Sequence, residues 1–346
     1  MAKRRKTSNR SNPARPAPTQ AARTATVQRP IWPAAAVGLA MLAIAMWLIL
    51  GWAAPAKAPT AAAQTGALGG VTGCRGLPRF GERLGYQDRL AISTSERSYT
   101  GLVIFDGRIP LTADLSERDL HQEPSWDDAG TLGPFVLDRE GNIYTAPVPR
   151  TAVSDTSPDR VNTIYRVDSL SGELQPFVNL PAAPTPTSEN PFGILGLAYD
   201  CTSNALYVSS VAGSDRKAER GRVLRVDLSS KAVTEEVVGV DVIGLAVFQG
   251  PAERRLYMGL ARSAELGSVA LDASGAAIGA FRSDLRFDDL AAGFGEPRAR
   301  RISFDQANMT LFVVPFNFNL RAVSEQQQIT LRYGYDAQRD EWVGVP

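Results

Sequence analysis

The stretch FGILGLAYDCTSNALYVSSVAG, residues 192–213, decides how this chain is read. An apolar run ends at Asp200, a polar turn carries Asn204 near its end, and a second apolar run, ALYVSS, follows. Two short apolar runs around turn-forming residues read as a β-hairpin. Three other stretches have the same form: GPFVLDREGNIYTAP (133–147), IGLAVFQGPAERRLYMGL (243–260) and RRISFDQANMTLFVVP (300–315). Each second strand carries an aromatic in one register. These aromatics are Tyr144, Tyr207, Tyr257 and Phe312, spaced 63, 50 and 55 residues apart.

A second hairpin follows each first one: 162–178, 221–238, 267–281 and 328–345. Asp168, Asp227, Asp272 and Asp336 stand at or near its bend, where a short acceptor side chain favours a turn. A weaker copy occupies 89–113. Four short antiparallel strands per unit, repeated about every 50 residues, is the signature of a β-propeller. One such sheet cannot bury both faces alone, and stacking sheets around an axis buries them against each other. Residues 75–346 contain nothing resembling a long amphipathic helix. The reading is all-β, a propeller of about five blades with six as the alternative. A β-sandwich is the competing use of short strands.

Ahead of this domain the composition changes. Residues 1–29 carry eight Lys and Arg and no acid, so the net charge of +1 leaves the remainder at −7. Residues 1–30 are rich in Ser, Thr, Pro and Ala, a disordered composition. Pro30 to Ala56 lacks any charge, and AAAVGLAMLAIAMWLILGW within it is long enough to cross a bilayer. Trp32, Trp47 and Trp52 lie toward its ends, as interfacial aromatics do. We read 31–54 as a single uncleaved transmembrane anchor with its N-terminus in the cytoplasm, because positive charge stays inside. A cleaved signal peptide ending near Ala58 is the rival reading. A basic arm beside a span needs no nucleic acid as partner, and none is expected. Residues 55–73 have linker composition, which places the folded domain at 74–346, outside the cytoplasm and on a bacterial envelope.

GPFVLDREGNIYTAP resembles the repeat of NHL and SMP-30-type propellers, and LGLAYDCTSNALYVSS with GRVLRVDL resembles the blades of soluble quinoprotein sugar dehydrogenases. The resemblance covers most of residues 130–240. The SMP-30 resemblance implies a channel cation such as Ca²⁺ held by Glu, Asn and Asp, for which Asn190 and Glu296 stand at suitable strand starts. A complete ligand set does not match, so no catalytic residue, metal ligand or cofactor is assigned. The quinoprotein resemblance implies a channel histidine, and the single histidine, His121, lies before the matching blades.

The binding candidates are loop residues. Residues 114–130 hold six acids against one Arg and contain His121, Trp126, Asp127 and Asp128. Residues 214–222 form a basic loop with Arg216, Lys217 and Arg220. Solvation is the default reading of both charge runs. In a meander the short turns of each unit share one face and the long connections share the other. Cys74 and Cys201 are the only cysteines. Outside the cytoplasm they form a disulfide, or else stay as two buried thiols. Paired, they would pin the linker to the short-turn face and turn the long loops outward. The functional expectation is a binding or scaffold module for a protein or glycan. A metal-dependent hydrolase or lactonase of the SMP-30 kind is the alternative. Three or more carboxylate or amide oxygens converging in the channel favour the hydrolase, and an apolar or arginine-filled channel counts against it.

Overall fold

In the computed structural model, residues 68–70, 73–96, 98–109, 119–149, 158–288, 297–315 and 328–345 are described. The tail, the 31–54 span and most of the linker lie outside them. None of the helices among the described residues is long and apolar enough to cross a membrane.

Four antiparallel four-stranded sheets follow one another along the chain. They are β4 (Leu132–Leu137) to β5 (Ile143–Pro147), β6 (Thr163–Val167) and β7 (Leu174–Asn179); β8 (Ile194–Asp200) to β9 (Ala205–Ser210), β10 (Arg222–Asp227) and β11 (Val233–Val238); β12 (Val242–Gln249) to β13 (Arg254–Leu260), β14 (Glu265–Leu271) and β15 (Ala277–Arg286); and β16 (Pro297–Asp305) to β17 (Asn308–Pro315), β18 (Ile329–Asp336) and β19 (Glu341–Gly344). Each is a simple meander. Tyr207 pairs Ala198 and Arg225 across its neighbours, so the hairpin of 192–213 is the inner half of one unit. The 89–113 copy is smaller: β2 (Leu90–Ser93) pairs with β3 (Val103–Asp106) only.

Burial grades outward within a sheet. Every residue of β8 and β12 is buried, whereas the fourth strands β7, β11 and β15 are largely exposed. Successive sheets share apolar layers. Trp126, Ile104 and Phe80 pack with Ile143 and Val167; Val136 and Tyr144 pack with Leu197 and Tyr199. Tyr207 and Val223 pack with Leu245 and Leu256; Phe248 and Tyr257 pack with Leu311 and Trp342. Sheets stacked face to face with their first strands innermost form a β-propeller.

The recurrent aromatics act between blades as well as within them. The Tyr207 hydroxyl donates to the Gly275 carbonyl of the next sheet, and Trp342 Nε1 donates to the Tyr257 hydroxyl at 3.1 Å. Burial raises the pKa of the Tyr207 and Tyr257 phenols, the latter to about 12. The recurrent aspartates are turn acceptors. Asp227 Oδ1 accepts from the Ser229 and Ser230 amides, and Asp168 Oδ1 from those of Leu170 and Ser171.

The linker enters the fold earlier than Cys74. β1 (Gly69–Gly70) adds antiparallel to the inner edge of β12 opposite Gln249 and Phe248. A Cβ on Gly70 would lie 2.8 Å from Phe304 Cβ, so only glycine lets the backbone approach there. The chain then crosses the short-turn face from one first turn to the next. Cys74 forms a disulfide with Cys201, Cα to Cα 5.9 Å. The Gly76 amide donates to the Asp138 carbonyl at 2.9 Å, and the short helix α1 (Arg79–Arg83) docks against Ser169.

Candidate functional site: an arginine-lined channel and its loop face

The first strands β4, β8, β12 and β16 surround a cavity of about 340 Å³. All four carry a one-residue bulge near their start, around Gly133–Pro134, at Leu195, at Ile243 and at Arg300. Bulges re-aim side chains at the rims of closed β structures. Leu195 and Ile243 bury themselves in one apolar cluster with Phe192 and Val211. Arg300 and Arg301 break that pattern and line the cavity, and Arg75 joins them from the linker strap. All three residues are exposed, although protein atoms crowd around the Arg75 and Arg300 side chains. Burial, then the charge of Arg301, lowers the Arg300 pKa, and burial lowers that of Arg75. Among the described residues, no carboxylate lines the cavity.

This donor set does not fit a divalent cation, which takes oxygen ligands. Among the described residues no cluster of three His, Cys, Asp or Glu could hold a metal ion. Asn190 is structural: it is buried, its Nδ2 donates to the Val211 and Ser214 carbonyls, and its Oδ1 accepts from the Phe192 amide. Glu296 lies outside the described residues.

The strap crosses the short-turn end of the channel, and the 211–220 connection lies at the opposite end of the strands. There the basic loop is fastened from beneath. The buried Asp241 carboxylate accepts from the Ser214 hydroxyl and, at 2.7 Å, from Arg262 Nε. Arg262 also donates to the Asp215 and Ala218 carbonyls. Arg216, Lys217 and Arg220 are exposed above this network. The backbone amides of Lys217 and Ala218 hold the Asp215 carboxylate below its usual pKa.

The acidic candidates are elsewhere, beside the first unit. Asp127 and Asp128 are exposed, and Arg160 donates to the Asp128 carbonyl. Trp126 corrects the expectation of a surface aromatic. It is fully buried, and its indole N–H donates to the Gly172 carbonyl at 2.6 Å. His121 is half-buried because its backbone forms a two-way bridge with Ile104, which makes it part of the first sheet. Its Nε2 lies 3.3 Å from Glu123 Oε1 without hydrogen-bond geometry. No hydrogen bond or ion pair joins the acidic group to the basic loop among the described residues.

Sequence reasoning missed the channel arginines, although a signal was present. Aligning the repeats sets RRISFD beneath LGLAYD and IGLAVF, so two arginines stand where the other blades carry an aliphatic residue and glycine.

No family model and no curated protein matches this chain. Solved structures do resemble it. Regucalcin from Agrobacterium tumefaciens, described as a calcium-binding protein, is 13% identical over 65% of this chain and 65% of its own, TM-score 0.38. The match thus spans just under two thirds of that protein. A hypothetical selenium-binding protein from Sulfolobus tokodaii is 10% identical over 74% of this chain and 63% of its own, TM-score 0.44. The PQQ-bound aldose sugar dehydrogenase from Streptomyces coelicolor is 14% identical over 73% of this chain and 77% of its own, TM-score 0.40. The resemblances read from the repeats thus recur among solved structures.

Proposed function

We propose that this chain is a membrane-anchored binding module of the cell envelope, whose long-loop face engages a protein or glycan partner. One observation carries the reading. The strap and the Cys74–Cys201 disulfide occupy the short-turn face and leave the face of the 211–220 loop free of both. A disulfide suits an oxidising compartment outside the cytoplasm. The open face presents a basic loop fixed by the Asp241–Arg262 pair, and loops held on a rigid scaffold are where binding concentrates. The hydrolase alternative needs a cation site, and the arginine lining of the channel speaks against one.

The test is a photo-crosslinker at position 218 in the full-length chain, used in native membranes. A discrete adduct should form, disappear in Lys217→Glu with Arg220→Glu, and persist in Ser229→Trp on the short-turn face. Asp241→Asn should weaken capture by loosening the loop, which hydrogen exchange across 211–220 would register. Equal loss in the Ser229 variant, or no loss in the loop variants, overturns the reading.

A further inference from the structure

We propose that the channel is a binding site for a small polyanion, a molecule of about monosaccharide size carrying two or more carboxylate or phosphate oxygens. The proposal goes beyond the partner-binding face and does not depend on it. Arg75, Arg300 and Arg301 line one cavity. Among the described residues none of the three has an ion-pair partner. Most arginines of this fold are otherwise matched: Arg262 meets Asp241, Arg222 meets Glu235, Arg225 meets Glu236 and Arg282 meets Asp284. Arg300 and Arg301, neighbours on β16 and both solvent-exposed, repel each other as like charges, and the charge of Arg301 helps lower the Arg300 pKa. Such an arrangement is relieved by an anion, which guanidinium groups take up with paired, charge-assisted hydrogen bonds.

The repeat shows that the fold does not need them. At the equivalent bulges Leu195 and Ile243 pack into an apolar cluster, followed by Gly196 and Gly244. The last blade thus spends two charged residues where an aliphatic and a glycine suffice. Arg75 comes from another part of the chain, one residue past the disulfide that fixes its backbone. The volume of about 340 Å³ lies at the small end of ligand pockets, which run from about 300 to 1,000 Å³. Phe135, Phe304 and Phe312 add apolar wall, which suits a ring or short carbon skeleton bearing the anionic groups.

The experiment is calorimetric titration of the full-length chain in detergent micelles with citrate, glucose 6-phosphate and glucose. Citrate or glucose 6-phosphate should bind and glucose should not, and the tighter of the two identifies carboxylate or phosphate as the group. Arg300→Gln and Arg301→Gln should each weaken that binding about ten-fold or more, the usual effect of losing a charge-assisted hydrogen bond. Both should keep the wild-type melting temperature or raise it in the absence of anion, because a like-charge contact is removed. The Lys217→Glu and Arg220→Glu variants should bind the anion as the wild type does, so a failure of the partner-face reading leaves this result intact. Binding of glucose as tight as that of the anions, no binding of either anion at millimolar concentration, or anion affinity unchanged in Arg300→Gln would overturn the proposal.

Discussion

Cutting the Cys74–Cys201 disulfide tests the architecture and the orientation together. The bond closes a loop of 127 residues. In the chain-entropy account such a closure restricts the unfolded chain by about 5 kcal/mol, and removing a native disulfide costs about 2–5 kcal/mol in practice. Both sulfurs pack against the layer between the second and third sheets, so Cys74→Ala with Cys201→Ala is cleaner than a serine pair. For a domain of this size the loss corresponds to a melting temperature lowered by on the order of 10 °C. The structural consequence should be local first. The strap retains only the pairing of β1 with β12 and a few turn contacts, including the Gly76 amide on Asp138. Amides of residues 69–76 should therefore exchange much faster in the double variant, while those of β8 and β12 stay protected. The assay is urea unfolding followed by circular dichroism, with hydrogen exchange read by mass spectrometry. A loss below about 1 kcal/mol with unchanged exchange across 69–76 would refute the reasoning. It would mean that the strap is held by the fold and not by the bond.

Trp126→Phe should destabilise by about 1–3 kcal/mol, since the buried Gly172 carbonyl loses its donor. Urea unfolding measures this, and an effect below about 0.5 kcal/mol would return Trp126 to the surface role expected from its loop. Acid stability should depend on the turn aspartates. Hydrogen bonds from Ser171, Ser230 and Ser274 hold Asp168, Asp227 and Asp272 below the ordinary carboxylate value near 3.8. Their folded pKa values are depressed, so the stability they contribute is present above about pH 3.8 and lost as pH falls toward the folded values. Replacing all three with Asn should flatten the melting temperature below pH 4, and an unchanged acid slope would assign the loss elsewhere.

Much of the fold was legible in residues 133–345 because a β-meander writes itself locally. Apolar runs of strand length, turn residues at Asp168 and Asp227, and one aromatic register follow from contacts within a hairpin. Periodicity then implied stacking, since no single sheet hides both faces. The two cysteines were also readable as a pair, because an even count in a chain read as lying outside the cytoplasm points to a bond. Other features depend on contacts between distant segments, which no local pattern encodes. Trp126 sits in an acidic, loop-like stretch, and only Phe80 and Gly172, brought in from either side, make it core. Gly69–Gly70 looks like linker until β12 and Phe304 show how closely the backbone must approach. Asp241 and Arg262 lie 21 residues apart in unremarkable contexts and meet because two blades place their long connections on one face. Arg300 and Arg301 are adjacent in sequence, but their joining of Arg75 in a shared cavity is decided by the ring of first strands. Hydrophobic periodicity is a property of neighbours along the chain, so the sequence alone determined the blades. A site formed where their inner edges converge is a property of the assembled sheets, so only the tertiary structure decided it.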